Sequence, residues 1–139
     1  MNWLAWALLA AAFAGITAVL AKAGLGHVNS HLATALRTSV ILVFTWAIAA
    51  ATVRPADWAA LDRRTVIFLA ASGVAAGLSW LCYFRALQLG NVSQVAPIDK
   101  LSVVFASLLA VAVLHEQLGV RAIAGLVLIV AGSVLVASQ

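Results

Sequence analysis

Charged side chains are the scarcest feature of this sequence. They make up 9% of its 139 residues, whereas 65% of the residues are hydrophobic. A soluble domain has roughly 45–50% apolar and about 25% charged residues. A core built from so short a chain cannot remove that much apolar surface from water, so lipid must cover part of it. The composition therefore excludes an ordinary soluble domain and predicts an integral membrane protein.

Cysteine is nearly absent as well, and this limits the chemistry of the chain. Cys82 is the single cysteine, which excludes an internal disulfide framework and a thiolate-rich metal site. It lies inside an apolar stretch, where a cysteine behaves as a small hydrophobic residue. His27 and His31 are four residues apart, but no third ligand is near them in the sequence. We therefore expect no metal site and no cofactor.

The sequence contains no pattern typical of an enzyme. It has no nucleophile with a matching base, no glycine-rich phosphate loop and no metal-ligand spacing, so we expect no enzymatic activity. The net charge of +4 and the pI of about 10.3 would suggest nucleic acid as the partner of a soluble protein. Here the basic residues do not cluster on one face, and we interpret them as helix-end and loop charges rather than as a nucleic-acid surface.

Long uncharged runs are what the sequence has in abundance. A membrane-spanning helix needs about 20 predominantly apolar residues, and five runs meet or approach that length. The runs are continuous rather than alternating, which favours helices over strands. The sequence thus predicts an all-α, multi-pass membrane protein formed by one domain over residues 1–139. The predicted spans are residues 3–21, 31–53, 65–86, 94–114 and 120–137.

The longest predicted loop, Arg54 to Arg64, has a mixed composition. Asp57, Trp58, Leu61 and Asp62 give it an amphipathic character, and Trp58 is of the kind that lies at the level of lipid headgroups. Both a short interfacial helix and a plain solvated loop fit this segment.

Basic residues set the orientation of membrane proteins, and here they are evenly shared. With five spans the termini lie on opposite sides. The side of the N-terminus has four basic residues, namely Arg54, Arg63, Arg64 and Arg121. The other side has Lys22, Arg85 and Lys100, and also Arg37 if that side chain extends to the boundary. The balance leans weakly towards a cytoplasmic N-terminus, and it is even enough that two copies could insert in opposite orientations.

Small residues recur at helical spacing in the third and fifth predicted spans. Gly73 and Gly77 form a GxxxG pattern, and Gly125 and Gly132 lie seven residues apart on one helical face. Small residues let helix backbones approach closely in lipid. Close packing within one subunit and a seam between two subunits both fit the pattern.

Several polar residues lie within or beside the apolar runs. Arg37 lies about seven residues inside the second span, where a charge faces a wet cavity or extends to the boundary. Asp99 and Lys100 are neighbours and should point about 100° apart on a continuous helix, so we expect them not to face each other. Asp99 and Ser102 share a face and could border a polar cavity, or form a solvated helix end.

Aromatic residues gather at the end of the third span. Trp80, Tyr83 and Phe84 fall on one side of a helix. They could line a substrate cavity or form an interfacial aromatic belt, since Arg85 follows at once. Glu116, after the fourth span, could be a proton site or an exposed helix-end charge.

The third to fifth spans resemble a known family. The run Trp80-Leu-Cys-Tyr-Phe-Arg-Ala-Leu-Gln-Leu-Gly90 resembles the end of the third helix of an EamA domain, from the drug/metabolite transporter superfamily. Val95-Ala-Pro-Ile-Asp-Lys-Leu-Ser-Val-Val-Phe105 looks like the fourth span of short, single-domain members. Leu114-His-Glu-Gln-Leu118 is similar to the family's Leu-Gly-Glu-Arg-Leu ending, and Ala35-Leu-Arg-Thr-Ser39 to its alanine–arginine signature.

Two positions depart from the family pattern. Typical members carry a proline midway along the fourth helix, where this chain has Val103, and the proline here lies earlier, at Pro97. The glycine that precedes the family's glutamate is His115 in this chain.

The resemblance implies a transporter that resides in the cell (plasma or inner) membrane. Most members carry two such repeats in inverted orientation, so a chain with one repeat is expected to work as a homodimer, in parallel or antiparallel arrangement. The family implies a small-molecule substrate, often an exported metabolite, amino acid or drug. Its central cavity would draw on the first, third and fourth helices, here with Thr17, Ser79, Trp80, Tyr83, Gln94, Asp99 and Ser102.

Two other functions stay open at this point. A small multidrug-resistance-type proton antiporter uses an acidic residue deep in its first helix, and the run from Trp3 to Ala21 has none. A non-transporting scaffold or accessory subunit would tolerate changes at Arg37 and Asp99 but not at Gly73 and Gly77.

Overall fold

The chain folds into helices only, over the residues that the structure describes. This structure is a computed structural model, and it describes residues 2–138. The helices are α1 (Trp3–Leu25), α2 (Ser30–Thr52), α3 (Pro55–Ala59), α4 (Arg63–Leu89), α5 (Val92–Asp99), α6 (Ser102–Leu114) and α7 (Val120–Ala137). Five spans are long and apolar enough to cross a membrane, and α5 and α6 together form one of them, Val92–Leu114. The predicted all-α membrane fold is confirmed.

Charged residues at the ends of the apolar runs do not end the helices. The first helix continues through Lys22 to Leu25, and α4 begins at Arg63 and ends beyond Arg85 at Leu89. The start of α4 is held by Asp62, whose Oδ1 accepts a hydrogen bond of 2.8 Å from the backbone N–H of Thr65. Hydrogen bonds from the side chain and backbone of Thr65 hold the pKa of the Asp62 carboxyl below its usual value.

The long loop between the second and third spans contains a short helix. Pro55 occupies the first helical position of α3, where its missing N–H costs nothing. The carboxylate of Asp57 accepts a 2.9 Å hydrogen bond from the backbone N–H of Arg54. The Trp58 ring stacks on Trp46 of α2 with centroids 5.9 Å apart, which ties α3 to the end of the second span. The segment is therefore a helix rather than a plain loop.

The described chain divides into two compact units. One contains the residues up to Ala23 together with those from Leu89 onward, and the other is Gly24–Gln88. In the first unit α5 packs along α7, and α6 contacts α7 less extensively. In the second unit α2 contacts both α3 and α4 through side chains. The expectation of one domain over residues 1–139 stays a prediction.

Few side chains of the described residues are buried within the chain. The buried apolar side chains are Ala18, Leu25, Phe84 and Leu87. Long apolar side chains on every span are exposed, such as Leu128 at 71%. This apolar surface can be stable only against lipid or another protein.

His115 ends the fourth span in a backbone conformation that L side chains adopt rarely. Its φ is +56°, in the left-handed region. The backbone N–H of the next residue, Glu116, donates a 3.2 Å hydrogen bond to the Ala110 carbonyl. A helix commonly closes in this way with glycine, because a Cβ is crowded there. This chain therefore has histidine at a position where glycine, the residue of the family pattern, fits best.

We expect His115→Gly to stabilise the protein by roughly 1 kcal/mol, because it removes the left-handed penalty of a side chain. Thermal unfolding in detergent, followed by tryptophan fluorescence, measures the effect. His115→Ala keeps the Cβ and should not stabilise. An equal gain for both variants would contradict this explanation.

Candidate functional site

The fourth span changes from α-helix to a tighter 3₁₀-type turn near its middle, and we call this turn the break. Lys100 and Leu101 join α5 to α6 and are the ninth and tenth of the 23 residues from Val92 to Leu114. Around them the backbone bonds shorten to the i→i−3 type, as in Leu101 N–H to Ile98 O at 3.0 Å and Val103 N–H to Lys100 O at 3.1 Å. Such a stretch inside a helix often marks a hinge or a functional site.

Pro97 contributes to the break. It lies inside α5 and has no N–H to donate to the carbonyl four residues earlier, which weakens the turn before the break. Lys100 and Leu101 both keep right-handed helical torsion angles, so the span tightens here without unwinding.

An ion pair lies at the break. The Lys100 Nζ is 3.6 Å from the Asp99 Oδ2. The expectation that these neighbours do not face each other is therefore wrong. The backbone is right-handed helical at both residues, and the long Lys100 side chain reaches back to the carboxylate.

The end of α5 suits one of these two charges. Lys100 follows its C-terminal end, where the helix dipole favours a cation. Asp99 is the last residue of α5, so the same dipole disfavours its carboxylate, and the Lys100 ammonium offsets this. The arrangement places one cation and one anion at the break, and it can bind solute groups of either sign.

The other site residues predicted in this unit lie on α1, α5 and α6. Ser102 is the first residue of α6, one position after the break, and is exposed. Gln94 on α5 and Thr17 on α1 are half-buried. Lys22 donates a 2.8 Å hydrogen bond from its Nζ to the Gly90 carbonyl, so this cation helps to hold the segment just before α5.

A second polar feature lies in the unit Gly24–Gln88, around Arg37. Its guanidinium carbon is 4.5 Å from the centroid of the Trp80 ring and 5.6 Å from that of Phe84. Tyr83 lies close enough to interact electrostatically with the same guanidinium. Half-buried Arg37 thus lies beside the aromatic residues that were predicted to share one side of the third span. Ser79, the remaining predicted site residue, is exposed on the same helix.

These contacts bear on two earlier questions. Arg37 either serves within the protein or extends to the membrane boundary, and the aromatic residues either line a cavity or form an interfacial belt. A cation over the faces of two rings is held by the ring quadrupoles, and more strongly where water is excluded. The guanidinium is engaged by α4 rather than extended away from it. The contact favours a role for Arg37 within the protein.

The glycines chosen as packing positions have open space beside them. At Gly73, Gly77, Gly125 and Gly132 an added Cβ would meet no atom within 4 Å. Close packing within the subunit is therefore not seen at these positions, and a seam between subunits stays a prediction. Among residues 2–138 no group of three or more His, Cys, Asp or Glu side chains is arranged to hold a metal ion.

Lys100 was considered together with Asp99 but was not placed among the predicted site residues. Its ion pair with Asp99 depends on the conformation of a long lysine side chain, which the apolar pattern does not reveal.

Comparison with known proteins gives a consistent result. The model of the EamA-like transporter family matches residues 1–138. The chain is 48% identical over 136 residues to a Sinorhizobium sp. protein described as an uncharacterized transporter in the cobO 3′ region. The match covers 98% of this chain and 96% of that protein, so the two have nearly the same length. No solved structure matches the chain.

Proposed function

Because the chain belongs to the EamA-like transporter family and is a membrane transporter, we propose that it exports a small metabolite, amino acid or drug as a homodimer. Each chain supplies five spans, and the two copies move by alternating access in the cell (plasma or inner) membrane. The single observation that carries the proposal is the break in the fourth span with its Asp99–Lys100 pair.

The unpartnered surface of the chain supports the homodimer. Gly73 and Gly77 lie on one face of α4 with open space beside them. Small residues of this kind let a second backbone approach closely in lipid. The evenly shared basic residues support an antiparallel arrangement, since neither orientation is strongly favoured by charge.

The ion pair suggests how the site recognises its solute. When the site is empty, Asp99 and Lys100 neutralise each other at 3.6 Å. A solute with both an ammonium and a carboxylate group, such as an amino acid, can take the place of both partners. Its ammonium then pairs with Asp99, and its carboxylate pairs with Lys100. The exchange keeps both residues paired, so it avoids the cost of an isolated charge in the membrane. Closing of the hinge at Lys100 and Leu101 would then move the solute across.

Efflux from reconstituted vesicles tests the proposal. We expect purified protein to release one or more members of a loaded panel of radiolabelled amino acids and polar metabolites faster than protein-free vesicles do. The panel should include decarboxylated and amidated forms of each retained amino acid, which lack one charge of the zwitterion. These should compete about tenfold more weakly, because they leave Asp99 or Lys100 unpaired. Efflux of no panel member would contradict the proposed substrate class.

A further inference from the structure

A separate cavity lies at one end of the unit Gly24–Gln88, between the second and third spans. It is an open surface pocket of about 590 Å³, and most of its lining residues are exposed. It is lined by His27, Val28, Asn29, Ser30, His31, Arg85 and Gln88. The first five form the turn after α1 and the start of α2, and the last two lie in the final turns of α4.

The charge of this lining is of one sign. Arg85 contributes a guanidinium, and the imidazoles of His27 and His31 can each donate a hydrogen bond. None of the seven lining residues is acidic. A cavity that collects one arginine and two imidazoles without a carboxylate among its lining residues favours an anion over a cation or a neutral solute.

The arginine is held in place by hydrogen bonds. Its Nη1 donates to the Oε1 of Gln88 at 3.0 Å, and the Nε2 of Gln88 donates to the Val28 carbonyl at 2.6 Å. These bonds link the end of α4 to the turn that carries both histidines. Only part of the guanidinium fork is used by Gln88, so its other donors are available for a ligand.

The start of α2 lies at the same place. Ser30 and His31 begin this 23-residue helix, whose N-terminal end carries a partial positive charge. The backbone N–H of His31 already donates to the Asn29 Oδ1 at 2.9 Å, so the helix start adds its dipole rather than that donor. Phosphate has several acceptor oxygens and suits a site that combines a guanidinium fork, imidazoles and a helix start. The cavity also lies where α2 begins and α4 ends, the depth at which lipid phosphates occur.

We propose that this cavity binds a phosphate-bearing anion, with Arg85 as its main ligand. The phosphate can belong to a lipid headgroup or to a soluble phosphate ester, which share the recognised group. The proposal does not depend on transport, because binding at the cavity can be measured on protein that moves no solute.

Binding is tested on purified, delipidated protein in a neutral detergent. Three probes are titrated: short-chain phosphatidylglycerol, glycerol 3-phosphate, and a short-chain diacylglycerol that lacks phosphate. The unfolding temperature, read from tryptophan fluorescence, should rise with a phosphate-bearing probe and not with the diacylglycerol. A response to the lipid alone identifies a headgroup site, and a response to glycerol 3-phosphate at similar concentrations identifies a site for soluble esters.

Arg85→Gln should raise the half-saturating concentration of the active probe about tenfold or more, because it removes the charge-assisted hydrogen bonds. Arg64→Gln is the matched control, since Arg64 lies on the same helix at its other end and outside the cavity. If Arg85→Gln does not fold, the double variant His27→Ala/His31→Ala should raise the value several-fold. Equal half-saturation in wild type and cavity variants, or an equal response to diacylglycerol, would overturn the proposal.

Discussion

Replacing Asp99 by asparagine is expected to reduce solute flux in reconstituted vesicles about tenfold or more. The change removes the carboxylate that lies 3.6 Å from the Lys100 ammonium, at the break in the fourth span. It also removes the group that would bind the cationic part of the solute. The variant should be less stable too, because an unpaired lysine near the centre of a span costs up to about 3 kcal/mol.

The double variant Asp99→Asn/Lys100→Gln separates these two effects. It removes both charges, so no unpaired cation is left in the membrane, and its thermal stability should recover most of the loss. Its flux should stay low, because neither charge of the solute has a partner. Flux that returns together with stability would show that Asp99 serves folding and not transport. If transport is coupled to protons, the pH dependence of flux should also disappear in Asp99→Asn.

Replacing Arg37 by alanine should have the second-largest effect on flux. Its guanidinium lies 4.5 Å from the Trp80 centroid and 5.6 Å from that of Phe84, so the variant loses two cation–π contacts of roughly 0.5–2 kcal/mol each. The rings of α4 would no longer be held in their present positions. We expect flux to fall about tenfold, measured in the same vesicle assay.

Arg64 provides a matched control for this variant. Its guanidinium lies 5.8 Å from the Phe68 centroid, so it makes the same kind of contact, but at the start of α4. Arg64→Ala should leave flux near the wild-type value. A scaffold or accessory subunit would tolerate Arg37→Ala and Asp99→Asn alike. Unchanged flux in both would therefore favour a role other than the proposed transport.

The membrane fold was predictable because the apolar composition that indicates it extends over long stretches of the sequence. Five apolar runs of about 20 residues leave no alternative to spanning helices, and single charges such as Lys22 do not disturb that count. The clustering of Trp80 and Phe84 could be anticipated for a similar reason, since positions three and four residues apart always share a helix face. Their contact with Arg37 could not be, because it depends on how α2 and α4 pack.

The candidate site was less predictable because it depends on exceptions to regular structure. The run from Val95 to Phe105 is apolar enough to suggest one continuous helix, and a proline near the start of a helix is usually tolerated. The Asp99–Lys100 pair depends on the conformation of a long lysine side chain, which no sequence pattern fixes. The cavity at Arg85 joins residues about 60 positions apart in the sequence, which no local pattern links.

Flux from mixed dimers tests the central claim, a transporter built from two copies of this chain, most directly. Wild type and Asp99→Asn would be co-expressed in equal amounts, purified together and reconstituted at constant total protein. If one inactive subunit disables a homodimer, random pairing leaves about a quarter of the wild-type flux. Flux of about half would mean that each chain works independently and would contradict a transport pathway shared by two copies.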